Sequence, residues 1–344
     1  DVYSRLYVNS GCTVITPFQQ IVGQMRELMH RYGSCGLGIG ETVRDSKVGC
    51  TLRMSDLRDK ETLEHKLDYV WRIKLDQAEQ IADDNPDDKE IQEKYERMKD
   101  PGFVSRLVGI YSEFVDRINV VDNYEFKGVV VFEGAQGVLL DVEHGFWPHV
   151  TKTKTTFDNV HKLTDKKVKR IGILRSYFTR HGAGPFVTED KEMSEKIPDL
   201  HNGLNDWQGS FRVGHLDLVA LKYSLEVCGG VDALALTCFD RLEGFDKIKY
   251  CSAYEFTGDE SIDDFFEYES VDGKKRISKI KSQENPSVER QEKLKDLLFK
   301  CKPVYSEIDN SQEALIGLLE SSDGLSTKVG IISKGPESKD KEIL

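Results

Sequence analysis

The sequence predicts an α/β fold: a mostly parallel central sheet flanked by helices, with a helical insertion at about 55–121 and a charged surface excursion at about 255–303. Short apolar runs at 129–132, 168–179, 231–237 and 329–332 each deliver a polar or glycine-rich loop. Helical patterns at 216–227 and 312–319 lie between some of those runs. Strands that alternate with helices and end in such loops form a sheet whose ligand site lies at the strand C-termini.

The first element is a helix. Thr16-Pro17-Phe18-Gln19 offers an N-cap threonine, a proline at the first helical position and a glutamine that completes a capping box. Phe18, Ile21, Val22, Met25, Leu28 and Met29 then share one face, and Gly33 is the expected stop. Residues 33–41 hold four glycines, too many for a regular element, and suit close approach of backbone to a ligand. From 55 to 121 the pattern is helical. Leu63, Leu67, Val70 and Trp71 make one stripe; Phe103, Leu107, Ile110, Tyr111, Phe114, Val115 and Ile118 make another. The acidic break at 83–88 between them is expected to be a solvated loop.

The 344 residues suffice for one large α/β domain, and we expect a single domain over 1–344. Hydrophobic residues make up 38% and charged residues 31%, as in a globular protein. A formal net charge of -12 excludes a general binder of nucleic-acid backbone, which gathers Lys and Arg on one face. No apolar run approaches the ~20 residues that span a bilayer. The seven cysteines are scattered without a CxxC pair, which points to reduced thiols in a cytoplasmic protein rather than a zinc site or disulfide framework.

Four segments carry candidate chemistry. In Gly134-Ala-Gln-Gly137 the glycines clear space around Gln136, whose amide donates and accepts in one plane and suits a purine edge; a plain turn with an exposed glutamine has the same sequence. His144 and His149 lack a paired Ser or Cys, so hydrogen-bonded structural histidines are the plainer reading. Thr151-Lys-Thr-Lys-Thr-Thr156 offers hydroxyl and ammonium groups for a phosphate monoester, or an exposed polar turn. Gly36-Leu-Gly38-Ile-Gly40 is not a dinucleotide fingerprint, since it follows a helix, and no GxxxxGKS/T phosphate loop occurs in these residues.

In collinear order, SCGLGIGE (34–41), LRMSDL (52–57), FEGAQGVLLDVEHGFWPHVT (132–151), SYFTRHGAGPFVTE (176–189), RVGHLDLVAL (212–221), ALTCFDRLEGF (235–245) and IISKGPE (331–337) resemble the adenylosuccinate synthetase family over nearly the whole chain. The resemblance implies a ligase that joins L-aspartate to C6 of IMP, with GTP and Mg2+, through a 6-phosphoryl intermediate. It implies that Gln136 contacts the purine near its 6-oxygen and Thr151 the nucleotide phosphate. Ser34, Cys35, Gly36, Gly38 and Gly40 would form the glycine loop on that phosphate. Ser210 and Arg212 would lie in the loop that holds aspartate and nearby phosphates, Arg212 also bordering GTP. Asp240 would read guanine, with Ser333, Lys334 and Gly335 as a second wall. A homodimer is implied too.

The pattern also departs from the family. Its GDEGKG loop, whose aspartate binds magnesium, and its GHT segment with a catalytic histidine do not occur here. The chain begins at Asp1 rather than Met, so we expect both segments upstream and residues 1–344 alone to be inactive. Cys35 and Leu37 replace a threonine and an arginine of the glycine loop, and Lys47 is the nearest cation to a cross-dimer arginine that aligns near Gly49. Two alternatives follow: a sibling ligase acting on dGMP, and a non-catalytic nucleotide-binding relative.

Overall fold

The computed structural model describes residues 2–199 and 202–344, which form two compact units, Asp1–Phe132 and Glu133–Leu344. In the first, strands β1 (Tyr7–Asn9) and β2 (Thr13–Val14) precede helix α1 (Pro17–His30). The capping box forms: the Thr16 N–H donates to Gln19 Oε1 at 2.9 Å. The helix ends before Gly33, because Arg31 takes the left-handed turn at φ 50. The buried Glu27 secures that end, its carbonyl accepting the Arg31 N–H at 2.8 Å and its carboxylate the Gly33 N–H at 2.6 Å.

The glycine-rich stretch is irregular only as far as Gly38, where helix α2 (Ile39–Ser46) begins. Gly38 has φ 83, and a Cβ there would lie 2.7 Å from the Gln20 nitrogen. Glycine therefore allows α2 to start against the α1 backbone. Strand β3 (Leu52–Arg53) pairs with β2, and helices α3 (Lys60–Asp84), α4 (Lys89–Met98) and α5 (Phe103–Val115) follow. The last aspartate of the acidic break, Asp88, caps α4 by accepting the Glu90 and Ile91 N–H groups. Strand β4 (Asn119–Val121) returns to pair in parallel with β1.

Phe18, Met25, Leu63, Leu67, Ile91, Met98 and Leu107 are buried together at the centre of this unit. Each contributes roughly 1.5–3 kcal/mol of burial. The α5 stripe is narrower than its sequence suggests: Val108 is buried, while Ile110 and Phe114 are exposed. The run 129–132 forms no strand, with Val129 and Val131 almost fully exposed. Apolar, β-branched composition was its only strand signal, and a strand also needs a pairing partner; none pairs with it among the described residues.

The second unit opens with the short helix α6 (Asp158–His161) and then separates the run 168–179 into β5 (Ile171–Arg175) and β6 (Phe178–His181). Ser176 makes the break. Its N–H donates to the Thr237 carbonyl and its hydroxyl to the Cys238 carbonyl, both at 2.9 Å, and the chain leaves one sheet for another. Helix α7 (Lys191–Lys196) precedes β7 (Phe211–Gly214), which pairs antiparallel with β6. Strand β8 (Leu216–Asp217), helix α8 (Leu218–Val227) and strand β9 (Ala233–Thr237) follow.

The charged region is more than a surface excursion. Strands β10 (Lys247–Phe256), β11 (Phe266–Val271) and β12 (Lys274–Ile280), helix α9 (Val288–Leu298) and strand β13 (Cys301–Asp309) form an antiparallel layer in the order β11-β12-β10-β13. Phe266, Ile277, Ile280, Leu294 and Leu297 are buried in a core shared with Phe146 and with Val219 and Tyr223 of α8. The charges alternate with these apolar positions and occupy the solvated face.

Helix α10 (Gln312–Glu320), strand β14 (Val329–Ser333) and strand β15 (Lys341–Ile343) complete the chain. The central sheet runs β15-β14-β9-β5, with β14, β9 and β5 mutually parallel. Leu236, Leu315, Leu319, Val329 and Ile332 are buried in the core against it.

Candidate functional site

In the first unit, Ser34, Cys35 and Gly36 lie in the loop before α2, while Gly40 is in the first turn of α2. Ser34 Oγ accepts the Gly36 N–H at 3.3 Å, and Gln24 Nε2 donates to the Gly36 carbonyl at 3.0 Å. Behind this loop stands a buried charged set. Lys74 Nζ lies 2.7 Å from Asp45 Oδ1 and 3.3 Å from Glu41 Oε2, and Gln19 Nε2 donates to Asp45 Oδ2 at 3.1 Å. Arg26 and Arg44 pair with the other Glu41 oxygen. Helices α1, α2 and α3 are thereby fixed to one another through charge-assisted bonds.

In the second unit, Gln136 is exposed at φ 66, and added Cβ atoms at Gly134 and Gly137 would meet nothing within 4 Å. A left-handed glutamine costs about 1 kcal/mol or more, and such strain gathers at functional loops. The following 141–155 loop is organised by Asp141, which is fully buried. Its carboxylate accepts the N–H groups of Glu143 (2.8 Å), His144 (3.2 Å) and Thr155 (2.6 Å). The Thr151 N–H donates to the Leu140 carbonyl at 2.8 Å, and its hydroxyl lies 3.2 Å from that of Thr153.

Two arginines brace the neighbouring 182–184 loop. Buried Arg180 donates through Nε to the Ala183 carbonyl and through Nη2 to the His149 carbonyl, each at 3.0 Å. Burial, with the Arg212 charge second, pushes its guanidinium down to about 10, still cationic at neutral pH. Arg212 donates to the Gly182 and Gly184 carbonyls at 2.7 and 3.0 Å and pairs with Glu189 at 2.8 Å. Its terminal nitrogens are thus engaged by the protein. Ser210 is exposed just before it.

Asp240 follows the C-terminal end of β9, and Ser333 is the last residue of the adjacent parallel strand β14. Asp240 is half-buried in a 3-10 turn, Phe239–Leu242. Ser333 is buried and donates to the Gly335 carbonyl at 3.0 Å, while Lys334 pairs with Glu342 at 3.0 Å. Ligands of open α/β sheets bind at this edge.

A profile of the family described as adenylosuccinate synthetase matches residues 1–341. The chain belongs to the adenylosuccinate synthetase family. It is 29% identical over 349 residues to the adenylosuccinate synthetase of Hydrogenobaculum sp. (strain Y04AAS1), covering 99% of this chain and 78% of that protein. Identity to the Clostridium novyi (strain NT) enzyme is 30% over 361 residues, covering 97% and 75%. For Aquifex aeolicus (strain VF5) it is 33% over 281 residues, covering 77% and 61%. The fold matches that of fully ligated adenylosuccinate synthetase from Plasmodium falciparum with a TM-score of 0.65 at 19% identity, over 99% of this chain and 78% of that one. The family is one of ligases that join aspartate to IMP with GTP in purine biosynthesis.

Within this member of the adenylosuccinate synthetase family, the candidate residues divide between the units. Ser34, Cys35, Gly36, Gly38 and Gly40 lie in the first; Gln136, Thr151, Ser210, Arg212, Asp240, Ser333, Lys334 and Gly335 lie in the second. Asp240 and Ser333 are brought to one sheet edge, and Gln136 and Thr151 to the two ends of one braced segment. Lys74, Asp141 and Arg180 were not assigned from sequence. For Asp141 the available signal was an acidic residue directly before the loop it holds; for Lys74 there was none.

Proposed function

We propose that this chain carries the purine-nucleotide, aspartate and GTP sites of a ligase that makes adenylosuccinate from IMP and L-aspartate. The γ-phosphoryl group of GTP passes to the 6-oxygen of IMP as N1 loses its proton, leaving GDP. The aspartate amine then attacks C6, the C6–O bond breaks with release of phosphate, and the amine loses a proton. Gln136 is the amide that meets the 6-oxygen as charge develops there. Its left-handed backbone between two open glycines, at the head of the braced 141–155 loop, is the observation that carries this reading.

Thr151 and the segment Ser34, Cys35, Gly36, Gly38 and Gly40 are assigned to the nucleotide phosphate. Asp240 with Ser333, Lys334 and Gly335 is assigned to guanine. Ser210 and Arg212 are assigned to the aspartate side, Arg212 acting by its charge and by shaping the 182–184 loop, since its terminal nitrogens already bond to protein. The family match runs across both units, which supports reading them as one synthetase domain. Mg2+ is assigned to the GTP phosphates. Among the described residues no group of three His, Cys, Asp or Glu is arranged to hold a metal, so no step given to these residues runs through it. A cytoplasmic homodimer accompanies the reading, and no helix among the described residues is long and apolar enough to cross a membrane.

The test is an assay of the full-length protein for adenylosuccinate, monitored by absorbance, with IMP, aspartate and GTP. Replacing IMP by dGMP, or GTP by ATP, should reduce the rate at least tenfold. A rate with dGMP above that with IMP would replace this reading with the sibling ligase, and no product with either would leave a binding protein.

A further inference from the structure

We propose that Gln291 and Tyr223 are positioning residues for the purine-nucleotide loop, gripping three consecutive carbonyls opposite the Asp141 carboxylate. Gln291 lies on α9, in the antiparallel layer, and is 3% exposed. Its Nε2 donates to the carbonyls of Val142, at 3.1 Å, and of Glu143. Tyr223 lies on α8, is equally buried, and donates its hydroxyl to the His144 carbonyl at 2.8 Å.

Asp141 meanwhile takes the N–H groups of Glu143 and His144. The main chain at 142–144 is therefore held from both sides, by donors on one and an acceptor on the other. A peptide so held has few alternative conformations, because any rotation leaves buried polar groups unpaired. Seven residues on, the same segment presents Thr151, tied to the Leu140 carbonyl. The proposal rests on the assignment of this loop to the purine nucleotide. On that basis α8 and α9 set the geometry of a loop whose residues are distant from them in sequence, without touching the nucleotide.

The test uses Gln291→Met, which keeps length and burial but cannot donate, in the full-length protein. We expect KM for IMP to rise about tenfold while KM for GTP and aspartate change less than twofold. Amide hydrogen exchange at 143–151, measured without nucleotide, should accelerate. Tyr223→Phe, which removes only the hydroxyl, should shift both readouts in the same direction by about threefold, and it carries the test if Gln291→Met does not fold. Unchanged exchange would overturn the clamp. Faster exchange with an unchanged KM for IMP, or an equal rise in all three KM values, would overturn positioning. If the unaltered protein does not turn over IMP, the functional reading fails, while the exchange measurement still decides the clamp.

Discussion

Behind the 33–38 loop of the first unit, Lys74 is buried against Asp45 and Glu41, so opposite charges share one desolvated site. In the second unit, Asp141, Asp217 and Arg180 are buried with neutral partners. Asp141 takes main-chain N–H groups, Arg180 takes carbonyls, and Asp217 accepts the Ala220 N–H at 3.0 Å and the Tyr254 hydroxyl at 2.7 Å. None of the three has an ion-pair partner among the described residues. An ion pair compensates burial through a partner's charge and fails when one member is lost. A cage of dipoles compensates through many small bonds.

The strongest challenge to this contrast is Lys74→Met, which leaves two buried carboxylates without their ammonium. The expected loss is about 3–5 kcal/mol in denaturant unfolding, and a loss below 1 kcal/mol would show that the set is hydrated rather than paired. Next comes Gln136→Ala in the full-length protein. It should cut kcat by about a hundredfold, roughly 3 kcal/mol, with KM for IMP changed less than threefold. Steady-state kinetics showing equal losses in both would remove its role at the developing charge.

The pH response of the second unit sharpens the comparison. Burial pushes the Asp217 carboxyl up to about 6, above its unfolded value of about 3.9. The folded state therefore favours the protonated acid; this contribution is complete below pH 4 and lost as pH rises to 6. The loss amounts to about 3 kcal/mol. Asp217→Asn should thus gain about that much relative to the unaltered protein between pH 4 and 7 in paired denaturation curves. A pH-independent difference would refute a neutral folded carboxyl. The smallest effect is expected for Asp141→Asn, which keeps an acceptor but loses its charge: about 2 kcal/mol of stability, with a raised KM for IMP. An unchanged melting curve would show that the loop does not depend on that carboxylate.

Local signals in the sequence revealed much of the frame. Thr16 and Gln19 announced α1, and the runs ending in Asp240 and Ser333 announced the parallel strands that carry them. What stayed hidden depends on partners far along the chain. Lys74 reads as one polar residue on an amphipathic helix until Asp45 arrives beside it. Gln291 reads as part of a charged stretch, and its targets lie almost 150 residues earlier. The run 129–132 shows the converse: local composition favoured a strand, but pairing decides.

The pairing of β1 with β4 also sets an order of events during synthesis. Tyr7 must meet Asn119, so the earliest strand of the first unit waits for roughly a hundred further residues to leave the ribosome. At about 5–20 residues per second that wait lasts on the order of 10 s. Helices α1 to α5 can pack meanwhile, since their contacts are nearer in sequence. The β1 segment therefore stays without its β4 partner until that stretch has been made.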